Sequence, residues 1–162
     1  MSKYNFEQIR SDYETPPELL FEGLKMTRIF TGYACDVCCS RENITAYHHF
    51  IKGEKDGLKE DWYNLNWCNP PYKYAPIWVK KAVKEQQKGN HTVMLIPART
   101  ETKYWHDYIL DSFGGTNRNH VRVKFLRKGY RFINPDTGEK MGVYKNALAL
   151  VYFEGIKNNA KK

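Results

Sequence analysis

Asn69-Pro70-Pro71-Tyr72 constrains this chain more than any other stretch. It follows Tyr63-Asn64-Leu65-Asn66-Trp67-Cys68, which reads as a short strand, and precedes Pro76, which can open a helix. Two consecutive prolines remove two backbone donors and fix φ, so Asn69 is held extended and the carbonyls beside it are not absorbed into a ladder. The turn therefore displays one amide, one carbonyl and one aromatic ring. That set suits a flat ring bearing an amine, such as adenine. The Asn69 oxygen and the Pro70 carbonyl can accept from an exocyclic NH2 while Tyr72 stacks on the face. The same residues are common turn formers, so a purely structural turn is the competing reading.

Around this stretch the chain alternates strands and helices. Thr15-Pro16-Pro17-Glu18-Leu19-Leu20 predicts a helix start, with Thr15 as N-cap, prolines at the first helical positions and Glu18 three residues after the cap. Tyr33 to Cys39 reads as a buried strand with Asp36 near its carboxyl end, where an open α/β sheet faces its ligand crevice. No Gly-rich turn follows; Ser40-Arg41-Glu42-Asn43 stands there. Residues 44 to 62 read as loop, with Asp56-Gly57 as a turn and Asp56 as a second candidate crevice carboxylate. Ala75 to Lys88 reads as a helix closed by Gly89-Asn90, with Trp78, Val79, Ala82 and Val83 on its core face. Thr92 to Ile96 is a buried strand, and Arg99 follows it at the second crevice wall. A third helix is expected from about Thr102 to Ser112. His120 to Phe125 and Ala147 to Phe153 read as two closing strands, joined by a Gly/Asn/Pro-rich hairpin or loop from Lys128 to Asn146. The fold class is therefore α/β, with a mostly parallel central sheet and an antiparallel C-terminal strand pair.

The 162 residues suit one domain: an arm over 1–14, a single domain over 15–153 and a basic tail over 154–162. Lys plus Arg number 26 against 18 Asp plus Glu, a net charge of +8, which favours a polyanionic partner and above all nucleic acid. Aromatic residues, at 15%, add stacking capacity among the basic side chains. No signal peptide is evident and no apolar run approaches the roughly 18 residues of a membrane span. A cytoplasmic protein with reduced thiols at Cys35, Cys38, Cys39 and Cys68 is expected.

Taken together, these segments resemble the small phage-type, Dam-like DNA N6-adenine methyltransferases. The residues that carry the resemblance are Asp12 to Leu19, Asp36-Val37-Cys38, Asp56-Gly57-Leu58 with Trp62, Trp67 to Tyr72, Trp78 to Ala82, Pro97 to Thr102 with Trp105-His106, and Arg122 to Phe125. The resemblance implies a Rossmann-like, S-adenosylmethionine-dependent methyltransferase fold and a phage or prophage origin. It implies that Tyr13, Thr15, Pro16, Asp36, Val37, Cys38 and Asp56 hold S-adenosyl-L-methionine, and that Asn69, Pro70, Pro71 and Tyr72 form the catalytic motif. The partner implied is double-stranded DNA, met by a monomer or weak homodimer with no membrane involved. A base inside a duplex cannot reach such a turn, so the adenine is expected to be flipped out. Arg99, Arg122, Lys124, Arg127, Lys128, Tyr130 and Arg131 are the expected DNA contacts, and no metal is required.

Two other readings use different residues. Cys35 and Cys38 followed by His48-His49 superficially resemble an HNH nuclease, although a second C-x-x-C is missing and a buried strand explains the thiols without metal. A non-catalytic basic DNA-binding module, in which the tetrad is only a turn, is the other alternative.

Overall fold

Prolines set the first helix. The computed structural model describes residues 15–29, 34–39, 48–51, 54–112, 117–134 and 136–157. Its first helix, α1 (Pro17–Lys25), has Pro17 in the first helical turn, where a missing N–H costs nothing. Glu18 and Lys25 match the dipole at its two ends. Pro16, not Thr15, occupies the N-cap position, and no side chain caps the helix. The Thr15 hydroxyl is engaged elsewhere, as described below, so the expected capping box does not form.

Six strands make one sheet: β1 (Cys35–Cys39), β2 (His48–Ile51), β3 (Leu65–Cys68), β4 (His91–Pro97), β5 (Val121–Phe125) and β6 (Leu148–Phe153). Their order is β2-β1-β3-β4-β6-β5. The β1–β2, β1–β3 and β3–β4 pairs are parallel, while β6 is antiparallel to both β4 and β5. The mostly parallel sheet is as the sequence predicts, and the closing strands do pair antiparallel. Only β6 runs against the rest, however, because it inserts between β4 and β5 and leaves β5 parallel to the first four strands. β2 falls inside the stretch expected to be loop; four residues are too few to show an alternation.

The strands that read as continuous apolar runs are buried on both faces. Along β6, Ala149, Val151 and Phe153 join one cluster, and Leu148, Leu150 and Tyr152 join the other. The first cluster packs beneath α2 (Ala75–Gln87) and α3 (Lys103–Tyr108), through Trp78, Val79, Ala82, Tyr104 and Trp105. Trp78 is therefore core, as its place on the helix face predicts. The second cluster packs beneath α1, through Leu19. α3 stops short of the expected Ser112 because Leu110 leaves the helix to bridge Asn117, and the Arg118 amide donates to the Ile109 carbonyl. The chain between β5 and β6 folds back as a hairpin: Tyr144 N donates to Tyr130 O, Met141 N to Phe132 O, and Asn134 N to Glu139 O. Among the described residues no helix is long and apolar enough to cross a membrane.

Candidate active site

From β1 the chain moves outward to β2, then returns to the other side of β1 as β3. This reversal makes the gap between the carboxyl ends of β1 and β3 a topological switch point, the place where open α/β sheets bind ligands. Asn69 follows directly on the end of β3. Its Nδ2 donates to Thr15 Oγ1 at 3.0 Å, joining residues 54 apart in sequence. Thr15 is buried and stands just before α1. That helix lies tightly on the sheet at Gly23, where an added Cβ would meet the Trp67 ring at 2.7 Å and Val93 at 2.9 Å. The seating of α1 thus places Thr15, and Thr15 turns the amide so that its carbonyl oxygen points the opposite way.

Pro70 and Pro71 are both buried. Pro71 O accepts from Tyr74 N at 2.8 Å, which starts a single 3-10 turn at Tyr72–Tyr74 and leads into α2. Among the described residues no hydrogen bond is found to the Pro70 carbonyl. Pro71 O is thus spent on the turn, while Asn69 is half-buried and Pro70 buried beside it.

Tyr72 is held more firmly than a free stacking platform. Its ring meets Phe132 at 6.4 Å between centroids and Tyr144 at 5.7 Å, both edge-to-face, and Phe132 and Tyr144 meet each other at 5.6 Å. The Tyr72 hydroxyl is buried with no hydrogen-bond partner among the described residues, and burial, then Tyr144, pushes its pKa well above the usual tyrosine value.

Across the switch point, Asp36 is buried on β1 in register with Trp67. It is the second residue of the strand, set back from the carboxyl end where the sequence places it. One carboxylate oxygen accepts from Cys38 N at 3.2 Å. The Val37 side chain is fully buried in the core, so only its backbone faces outward contacts. The Asp56-Gly57 turn crosses β1 at this point. A Cβ on Gly57 would lie 2.0 Å from the Val37 carbonyl oxygen, so only glycine permits the crossing. Asp56 Oδ1 accepts from Leu58 N at 3.0 Å, and Trp62 Nε1 donates to Gly57 O at 2.6 Å. Trp62 in turn stacks on Trp78.

Beneath this loop lies a buried carboxylate that sequence reasoning missed. Glu85 accepts from Lys81 at 2.6 Å, Asn90 at 2.9 Å and Lys88 at 3.0 Å, while Lys81 also donates to the Glu60 carbonyl at 2.7 Å. Burial alone raises the Glu85 pKa, but hydrogen bonds from Lys81, Asn90 and Lys88 outweigh it and leave the carboxyl below its usual range. On α2, Glu85 falls at i+7 from Trp78 and i+3 from Ala82, so spacing sets it on the core face, and its charge is what masked that burial in the sequence.

Beyond Tyr72 a cleft of about 1020 Å³ opens between the start of α2, the end of β4 and α3, with neither Asn69 nor Pro70 in its lining. Tyr72, Lys73, Lys80, Arg99, Lys103 and Tyr108 line it. Arg99 is thus where the second wall was expected, exposed and paired with Glu101 at 3.3 Å. Lys73 and Lys80 were missed, although Lys73, Ile77 and Lys80 recur at the spacing of one helix face.

The remaining expected DNA contacts divide. Arg127, Lys128 and Arg131 are exposed on the hairpin, whereas Tyr130 is half-buried against the core cluster of α1. Lys124 pairs with Glu22 at 2.6 Å. Arg122, two strand positions before Lys124 and on the same face, is half-exposed; it lies over the Tyr152 ring at 4.8 Å and approaches Glu154 at 3.9 Å. Tyr13 and the arm lie outside the described residues.

The strand register sets Cys35 beside His48 and Asp36 beside His49, yet among the described residues those of the nuclease alternative form no metal-binding group. Cys35 is fully buried, and burial, then Asp36, pushes its thiol up to about 12, which disfavours a thiolate ligand. His49 pairs in register with Asp36 on adjacent parallel strands, and the His48 side chain lies outside the described residues. Among the described residues no group of three or more His, Cys, Asp or Glu side chains is placed to hold a metal ion.

Sequence comparison decides among the readings. The profile of the family described as DNA N-6-adenine-methyltransferase (Dam) matches residues 4–161. The chain belongs to this family. It is 32% identical over 104 residues to the DNA N-6-adenine-methyltransferase of Escherichia phage T1, covering 61% of this chain and 41% of that protein. It is 28% identical over 118 residues to the protein of the same name from Haemophilus phage HP1 (strain HP1c1), covering 72% of this chain and 64% of that protein. The chain therefore spans less than two thirds of the length of either Dam relative.

Proposed function

We propose that this Dam-family chain transfers a methyl group from S-adenosyl-L-methionine to the N6 amine of an adenine in double-stranded DNA, and that residues 15–153 form the methyltransferase domain with a Rossmann-like plan. The observation that carries this reading is the Asn69–Thr15 hydrogen bond at the switch point. It fixes the Asn69 amide beside the Pro70 carbonyl at the end of β3. Towards β1 stand buried Asp36 and the Asp56 turn, an acceptor set suited to the hydroxyl and amine groups of a nucleoside-amino acid. Beyond Tyr72 lies the basic, aromatic cleft.

The methyl donor supplies an activated sulfonium carbon, which needs alignment more than acid, base or metal help. Asn69 Oδ1 and Pro70 O accept the two N–H groups of the adenine amine and so draw its lone pair out of ring conjugation. The new N–C bond forms as the C–S bond breaks, the bonding pair remains on sulfur as a neutral thioether, and one proton leaves the nitrogen for solvent. Thr15 holds the amide in the accepting orientation. Tyr72 borders the space where the flipped base would stack, and Arg99, Lys73, Lys80 and Lys103 set a positive field for the displaced strand. Arg127, Lys128 and Arg131 are the hairpin's phosphate contacts, with Lys124 after release from Glu22.

The test is transfer of labelled methyl from S-adenosyl-L-methionine to unmethylated plasmid DNA in EDTA, with hydrolysis to identify the modified base. N6-methyladenine is the expected product, and Asn69→Ala should lose about a hundredfold or more in turnover while still binding the methyl donor. Metal-dependent DNA cutting without label would restore the nuclease reading; DNA binding without donor binding would leave only a DNA-binding module.

A further inference from the structure

Tyr72 belongs to the catalytic turn, but the residues that fix its ring do not. Phe132 and Tyr144 lie 60 and 72 positions further along the chain, on the two arms of the hairpin between β5 and β6. The hairpin is otherwise mostly exposed, yet Phe132 is 2% exposed and sits in the cluster beneath α1. It is the hairpin's anchor. Tyr144 is tied to the opposite arm by its backbone N–H, which donates to Tyr130 O at 3.0 Å, and it lines the cleft beside Tyr72. Both arms therefore converge on one ring.

That ring is otherwise under-determined. A buried phenol with no hydrogen-bond partner among the described residues gains nothing from its hydroxyl and forfeits about 1–3 kcal/mol of hydration. Edge-to-face contact with two neighbours is what remains to set the ring's angle. The same hairpin carries Arg127, Lys128, Arg131, Lys140 and Lys145 against Asp136 and Glu139, so it has the charge to meet a polyanion.

We propose that Phe132 and Tyr144 are positioning residues for Tyr72, so that the basic hairpin, once seated on nucleic acid, sets the angle at which Tyr72 meets the target base. The inference rests on the proposed methyl transfer and deepens it. It makes the hairpin part of the chemical step as well as of binding. Loss of either ring should lower kcat while leaving the KM for the methyl donor unchanged, because the donor is held on the far side of Asn69.

The experiment is a double-mutant cycle on methyl transfer to unmethylated plasmid DNA, using Tyr72→Leu, Tyr144→Leu and the pair, with donor binding measured by calorimetry for each. Tyr144→Leu should lower kcat about tenfold or more, with donor affinity and DNA affinity each within about twofold to threefold of wild type. In the Tyr72→Leu background the further loss should vanish. Tyr144→Phe, which keeps the ring, should recover most of the rate. Should Tyr144→Leu fail to fold, Phe132→Leu carries the same cycle. A wild-type kcat in Tyr144→Leu, or an undiminished loss on top of Tyr72→Leu, overturns the inference. Absence of methyl transfer by the wild-type protein instead overturns the functional reading beneath it.

Discussion

At the residue scale the site depends on a few contacts whose removal has separable effects. The Thr15 hydroxyl is the acceptor that orients Asn69. Thr15→Val keeps the volume but removes the acceptor of the Asn69 amide, so kcat should fall about tenfold or more while the fold survives; single-turnover methyl transfer checks it. Gly57 has a different role. With the Val37 carbonyl 2.0 Å from any added Cβ, Gly57→Ala must displace the Asp56 turn. We expect a loss of at least about 2 kcal/mol in chemical denaturation, together with weaker donor binding. Asn69 to Tyr72 were legible in the sequence because prolines act locally. Local spacing read Thr15 as a helix cap and the family resemblance as a contact to the methyl donor; its hydrogen bond to Asn69, 54 positions away, lies beyond any spacing rule.

Elements were read well where burial wrote a pattern. β4 and β6 are continuous apolar runs, α2 shows a helical face, and all three form as expected. β2 left no such trace, and the end of α3 is set by a bridge to Asn117 that local propensity does not encode. Helix α2 carries its own liability in Glu85. Its carboxyl is held below the usual value of 4.5, so the folded state binds its proton less readily than the unfolded chain does. The stabilisation is fully present above that unfolded value and is lost as pH falls through the lower folded pKa. Thermal melts between pH 3 and 7, a range of about four units around the usual carboxylate pKa, should show less acid destabilisation in Glu85→Gln than in wild type. At neutral pH, Glu85→Ala should cost about 3–5 kcal/mol, since it strands the nearly buried Lys81 ammonium. On the hairpin, replacing Lys128 or Arg131 by Gln should weaken DNA binding uniformly across sequences and reduce the salt slope by about one each. Arg122→Gln, whose side chain is already packed on Tyr152, should leave that slope unchanged.

Across the whole molecule the net charge is +8, and four of its cations, Lys73, Lys80, Arg99 and Lys103, line one cleft beside Tyr72. The class of fold was legible from alternating elements, but the strand order was not, because pairing of β6 with β4 is a long-range choice made by packing. That choice bears on how the protein is made. β6 is last in chain order among the described strands, yet it fills the slot between β4 and β5. A nascent chain that has delivered everything before Leu148 holds the apolar edge of β4 and the edge of β5 with nothing between them. Ribosome-bound intermediates of this length are therefore sticky and unfinished, and synthesis paused there should yield chaperone-bound, protease-sensitive material until six more residues emerge and close the sheet.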